Sequence, residues 1–232
     1  MTRGPVSRRE RPAKPALTRE WIVATAFELV QSEGLHRLTM RRLAQHLDTG
    51  AASLYVYVRD IEELHAAVLD LLLAEVDTTV VEPPVDRPDA SGRWRERLWS
   101  LTRSYIHVLY EQPALARVAL VTRLSGPHYL AIVDAALGLL AQAGLDAARA
   151  SWAVDALLLL ATATAVEQGT RAGTPNAEQQ HEALIAEVEA AQPQELPHIA
   201  ALGHELFSGP GAGRTRWAFD ALLNGALTTT TS

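Results

Sequence analysis

The sequence predicts an all-α protein, a small N-terminal helical bundle followed by a larger C-terminal one. Three observations predict it. Apolar residues recur three and four apart in segment after segment beyond residue 17, the spacing of one helix face. No stretch alternates apolar and polar residues as half-buried strands do. The breaks carry glycine, proline or a capping hydroxyl or carboxylate, the residues that stop and start helices.

In chain order, residues 1–16 read as a disordered basic tail, because Pro5, Pro12 and Pro15 block regular structure and arginines cannot build a core. Thr18 can cap a first helix by accepting from its free first-turn amides. Ile22, Ala26, Leu29 and Val30 give that helix one apolar face, and Gly34 ends it. Thr39 caps a second helix, with Met40, Leu43, Ala44 and Leu47 inward. After Asp48-Thr49-Gly50 comes a third, short helix with Leu54 and Val58 on one side. Asp60 caps a fourth, whose buried stripe is Ile61, Leu64, Val68, Leu71, Leu72 and Val76. "EPPVDRPDASG", Glu82 to Gly92, is the first strong break in the middle of the chain. Helices are then expected over about 93–111, after Pro113, and over 128–143, 146–169, 178–191, 197–207 and 215–227.

Composition excludes several classes. The 232 residues contain no cysteine, so disulfides, thiolate metal sites and thiol nucleophiles are out. No apolar run approaches the roughly 18 residues of a spanning helix, and the N-terminus lacks the apolar core of a secretory signal; the expected location is cytoplasmic. The eight histidines fall in no metal-binding spacing such as HExxH, and no glycine-rich loop follows a strand. No enzyme, cofactor or metal is expected. The net charge of −6 divides unevenly, +4 over residues 1–60 and −10 over the rest. A basic front on an acidic body suits a polyanion met by the front alone; a solvated arginine-rich tail would carry the same charge.

The interruption at Asp48-Thr49-Gly50 has the requirements of a helix-turn-helix. Ala44 is small where a second helix must cross closely, Asp48 and Gly50 tolerate positive φ, and Leu54 and Val58 anchor the second helix. Ala51, Ala52, Ser53, Tyr55 and Tyr57 are left on or near the open side, small at the end that enters a major groove and carrying hydroxyls for phosphates. Two ordinary core helices could be spaced in the same way.

The stretch "LTREWIVATAFELVQSEGLHRLTMRRLAQHLDTGAASLYVYVRDIEELHAAVLD" resembles the DNA-binding domain of the TetR family: a capped first helix, Gly34, Leu38-Thr39, Leu43-Ala44, Ser53-Leu54-Tyr55 and Val58. Trp94, Leu98, Tyr105 and the closing "RWAFDALLNGAL" are similar, more weakly, to the ligand domain of the family's tetracycline-responsive members. The resemblance implies a helix-turn-helix DNA-binding domain over 17–64, joined by a linking helix to a ligand-binding and dimerisation domain over 65–228. It makes Arg41 a base-reading arginine, whose planar fork suits guanine O6 and N7. Met40, Ala51, Ala52 and Ser53 fall on groove-facing positions, Tyr55 and Tyr57 on phosphate- or base-contacting ones. Arg42 and Arg59 are expected on phosphates, with ordinary surface arginines as the alternative, and Thr39, the cap of the second helix, is a further DNA-binding candidate. Ala51 and Ile61 replace a glutamine and a lysine of the tetracycline-responsive members, so a different operator is implied.

For the C-terminal half, the weakly charged stretch 146–169 is either fully buried or shared with a partner. The resemblance implies a homodimer through helices about 146–169 and 215–227. A small-molecule effector is implied too, with Trp99, Leu101, Tyr105, Thr122, His128 and Trp152 as candidate contacts, and Tyr110 and Tyr129 nearby. Ala119, Leu101 and Asp77 stand where the tetracycline-responsive members place metal- or drug-contacting side chains, so the expected effector is not Mg²⁺–tetracycline and the expected pocket is more apolar. The implied function is a repressor on a palindromic operator of double-stranded DNA, with no membrane partner. The rival reading is a helical protein-interaction module without DNA binding.

Overall fold

The computed structural model describes residues 16–79 and 92–230, and every regular element among them is helical. The tail expected over 1–16 and the break at 82–92 lie, but for their last residues, outside the described residues. The chain divides into two compact units, Met1–Leu64 and His65–Ser232.

In the first unit, α1 (Arg19–Glu33), α2 (Met40–His46), α3 (Ala51–Leu54) and the start of α4 (Ile61–Leu73) surround a small core. Thr18 Oγ1 accepts from the Trp21 amide and Thr39 Oγ1 from the Arg42 amide, each at 3.1 Å; caps of this kind contribute about 1 kcal/mol apiece. Gly34 stops α1 at φ 86°, backbone that a side chain would strain. α1 packs on α2, with Ile22, Ala26 and Leu29 buried on the first and Leu43 and Ala44 on the second, and Leu47, Leu54 and Val58 complete the core.

The turn between α2 and α3 departs from expectation in one respect. Asp48 alone takes the left-handed conformation, at φ 48°. Gly50 is extended, with φ −81° and ψ 145°, and acts as the N-cap of α3. One left-handed residue is enough to reverse the chain here, because the Thr49 amide closes onto the Ala44 carbonyl at 2.9 Å.

The second unit holds the rest of α4 and then α5 (Arg93–Tyr110), α6 (Pro113–Val121), α7 (Pro127–Gln142), α8 (Ala147–Ala172), α9 (Ala177–Glu189), α10 (Pro197–Leu202) and α11 (Gly211–Thr228). α8 is the spine; α5, α6, α7 and α11 all pack on it. At Gly169 it comes so close to the end of α5 that a Cβ would lie 2.6 Å from the Tyr110 carbonyl oxygen. Its buried face is Ala150, Ala153, Val154, Leu157, Leu158, Ala161 and Ala165, mostly small residues that admit close helices. The opposite stripe, Trp152, Ala156, Leu159 and Ala163, lies open to solvent.

Two expectations need correction here. α8 runs to Ala172, three residues past the expected end, and is long and apolar enough by length and composition to cross a membrane, although 44% of its most apolar stretch is buried in this unit. The scattered arginines, aspartate and threonines interrupt the apolar runs without lowering their average. The last helix begins at Gly211, inside the stretch expected to separate helices, because Pro210 fits the turn just before a first helical residue.

α9, α10 and the 3₁₀ turn Gly203–Phe207 form an arm whose extensive contacts are with one another. None of the residues of α9 is buried, and Leu184, Leu196, Leu202 and Leu206 are exposed along the arm.

Candidate nucleic-acid interface and effector cavity

Around the α2–α3 turn the structure separates residues that hold the unit together from residues that face solvent. Met40 is 8% exposed and belongs to the core. The resemblance implied a groove-facing side chain; the structure instead buries it at the first inward position of α2, in the same buried set as Leu43 and Ala44. Thr39 is spent on the Arg42 amide. Ala52, Ser53 and Tyr55 are exposed, and Ala51 and Tyr57 half-buried, while Leu54 between them is fully buried.

The three arginines differ. Arg42 donates to Glu33, with a closest approach of 2.5 Å, and the pair raises the guanidinium pKa and lowers that of the Glu33 carboxyl. Arg59 donates to Glu63 through Nε at 3.0 Å and through its own amide at 2.9 Å, and Glu63 also receives Arg19 at 3.4 Å. The two bonds from Arg59, backbone first, hold the Glu63 carboxyl below the usual carboxylate range. Arg41 is exposed and makes no hydrogen bond or ion pair with any described residue. Of the three it alone keeps all its donors available.

Val56 was missed. It is 79% exposed, just past α3, between Tyr55 and Tyr57. A large aliphatic side chain so placed has nothing to bury against within its own unit. Its place off the Leu54–Val58 side was legible in the sequence.

The second unit contains an open cavity of about 410 Å³. Tyr105 from α5, Thr162 from α8 and Tyr129 from α7 line it, with Ala119 and Leu120 from α6, Leu158 and Leu159 from α8, and the segment Thr122 to Leu124. At its inner wall the Tyr105 hydroxyl and Thr162 Oγ1 lie 2.9 Å apart, both residues buried. Burial pushes the Tyr105 phenol up to about 12, against the pull of the Thr162 bond, so it is neutral and can donate. Arg123 and Asp155 also line the cavity, both exposed and neither paired with a described residue.

The candidates for this cavity scatter. Tyr105 and Thr122 line it. Leu101 does not, being 2% exposed in the core. Trp99 stacks edge-on against Phe219 of α11, with ring centroids 5.1 Å apart, and Arg216 lies over its ring. His128 is turned to Asp70. Trp152, 61% exposed, lines a different groove of about 240 Å³ between α8 and α11. Mixed apolar and polar character marked these residues as a group, but which side of a helix faces the cavity is set by tertiary packing. Nor is the lining the apolar one expected: α7 and α8 contribute Tyr129, Asp155 and Thr162. Asp155, a lone charge in "WAVDALLLL", was the available signal for that.

Two family descriptions match the chain: "Bacterial regulatory proteins, tetR family" over residues 22–68, and "Tetracyclin repressor-like, C-terminal domain" over 87–214. The crystal structure of SCO7704 from Streptomyces coelicor, assigned as a transcription regulator, is similar at 46% identity and TM-score 0.77, covering 94% of this chain and 98% of that one. ActR of Streptomyces coelicolor, solved in complex with actinorhodin, is similar at 31% identity and TM-score 0.77, covering 91% and 97%. An HTH-type transcriptional regulator of Saccharopolyspora erythraea is 33% identical over 135 residues, 58% of this chain and 54% of that protein. The chain spans about half the length of the curated relatives it matches first. SCO7704 and the Saccharopolyspora protein are described as transcription regulators, and ActR as a TetR family protein.

Proposed function

Because the chain belongs to the TetR family of bacterial regulators, we propose that it is a cytoplasmic, ligand-responsive repressor that binds a palindromic DNA operator as a homodimer. The observation that carries this is a set of uncovered residues around the α2–α3 turn: Arg41 with all its donors available, and Ala52, Ser53, Tyr55 and Val56 exposed, in a unit otherwise closed by a buried core. Arg41 reads a guanine edge; Ala51, Ala52 and Val56 supply apolar contact, for instance to thymine methyls; the tyrosine hydroxyls and Arg59 face phosphates. Glu33 and Glu63 hold Arg42 and Arg59 in fixed poses, so these two act through their remaining donors.

Residues 17–64 are the DNA-binding domain and 65–228 the effector and dimer domain. Pairing is supported by the solvent-facing stripe of α8, by Trp217 on α11 at 73% exposure and by the apolar groove between those helices. The arm of α9 and α10, with its exposed leucines, is further surface for a second copy. Two-fold pairing suits half-sites about 34–36 Å apart.

The effector enters the cavity lined by Tyr105 and Thr162. ActR's complex with actinorhodin supports a bulky small molecule as its class. Ala119 offers no metal ligand in that cavity, which supports an effector other than Mg²⁺–tetracycline.

The test is titration on duplexes selected from a random pool. Arg41→Ala is expected to weaken specific binding by about 1–3 kcal/mol while non-specific binding falls less, and wild-type affinity should drop steeply with salt. Equal losses on selected and random duplexes would refute the base-reading role.

A further inference from the structure

Among the described residues, Asp70 is the buried member of the Asp, Glu, Lys, Arg and His set. It lies on α4 and its carboxylate is spent on another helix. Oδ1 accepts from the Tyr129 amide at 2.9 Å; Oδ2 accepts from His128 Nδ1 at 3.0 Å and, more weakly, from the His128 amide at 3.5 Å. Those amides are free donors of the first turn of α7. The helix's own N-cap is Gly126, which has no side chain to satisfy them. The approach is so close that a Cβ at Gly126 would collide with the Asp70 carboxylate. A buried carboxylate is tolerated only when it is hydrogen-bonded, and here the positive end of a helix favours it as well.

The residue held by its amide is Tyr129, whose side chain lines the cavity. One carboxylate therefore ties the cavity wall to α4. Along the backbone, α4 follows directly on the reading segment, through Arg59 and the capping Asp60. We propose that Asp70 is the positioning residue through which occupancy of the cavity moves α4. This rests on the ligand-responsive reading above. An occupant that displaces the first turn of α7 at Tyr129 must either break these bonds or carry Asp70, and α4 with it, along.

A mutant cycle on the full-length protein tests this without an effector. Tyr129→Ala perturbs the wall, Asp70→Asn removes the anionic acceptor, and the readout is amide hydrogen exchange in α4. Tyr129→Ala alone is expected to speed exchange in α4 about fivefold, and to add nothing when Asp70→Asn is already present. A merely structural Asp70 would leave the two effects additive, and additivity overturns the proposal, as does an α4 indifferent to Tyr129→Ala. Should Tyr129→Ala not fold, Tyr129→Leu replaces it. Should Asp70→Asn not fold, Gly126→Ala, which forces the carboxylate off the helix end, replaces it. Titration of the same variants on the selected duplexes separates the two readings. If wild type binds no duplex, the regulator reading fails, while the exchange cycle still decides the role of Asp70.

Discussion

Arg41 and Arg42 are neighbours with different circumstances, and only the folded chain distinguishes them. Arg42 meets Glu33 at the end of α1; Arg41 makes no ion pair with any carboxylate among the described residues. Tyr105 shows the same dependence on surroundings. Its phenol, ordinarily near 10.0, is pushed to about 12 by burial. A raised pKa means that the unfolded chain releases this proton first as the solution turns alkaline. The associated stability is complete below 10.0 and is lost on the way to about 12. Absorbance titration should therefore show one phenol ionising last, and Tyr105→Phe should remove that late step. The same change leaves Thr162 Oγ1 without its partner in a buried site, expected to cost about 1–3 kcal/mol in denaturant midpoints. The sequence marked Tyr105 as a cavity residue, but it could not supply Thr162, 57 positions away.

α5 and α11 are joined by a clasp of charges. Arg216 donates to both oxygens of Glu96, at 2.6 and 2.9 Å, and to Asp220 at 2.8 Å, while Arg95 donates to Asp220 at 3.1 Å and to Asn224 at 2.9 Å. The Arg216 bonds hold the Glu96 carboxyl below its ordinary 4.5. Burial works against the charge on Asp220, yet the two arginines outweigh it and keep that carboxyl below 3.8. Both shifts are downward, so the clasp contributes fully above pH 4.5 and is lost as pH falls through the lowered values. Urea midpoints followed downward from about pH 6 should decline more steeply for wild type than for Arg216→Gln; parallel declines would show that the clasp is not what titrates. At this scale the sequence was most readable. The inward stripes of α1 and α2 follow local spacing, as do the caps at Thr18, Thr39 and Asp60; of the stripe expected on the fourth helix, Leu64, Val68, Leu72 and Val76 are buried, but Ile61 and Leu71 are half-buried and Leu69 and Leu73 are buried instead. What it misjudged were positions where local spacing permits two faces: Met40, inward by periodicity and outward by resemblance, and Leu101, a core residue that the resemblance placed on a ligand.

In the whole molecule, apolar surface is left uncovered at Trp152 and Leu159 on α8, at Trp217 on α11, and along the arm of α9 and α10. A stable single chain seldom exposes so many large apolar side chains in connected elements. Sedimentation of the full chain should give a dimer, and Trp217→Glu should shift it toward the monomer by placing a charge where a second copy would bury an indole; an unchanged mass would remove α11 from the interface. In the sequence, the charge asymmetry and the helix-turn-helix break are what suggested a basic reader joined to an acidic sensor. The identity of the cavity walls was not, because α5, α6, α7 and α8 meet there from distant parts of the chain. The bare stripe of α8 also has an effect reaching beyond the single molecule. If only another copy covers it, then at concentrations too low for pairing to be complete the number of pairs follows the square of the chain supply. Halving synthesis would leave roughly a quarter of them, so abundance alone would grade the strength of control before any effector arrived.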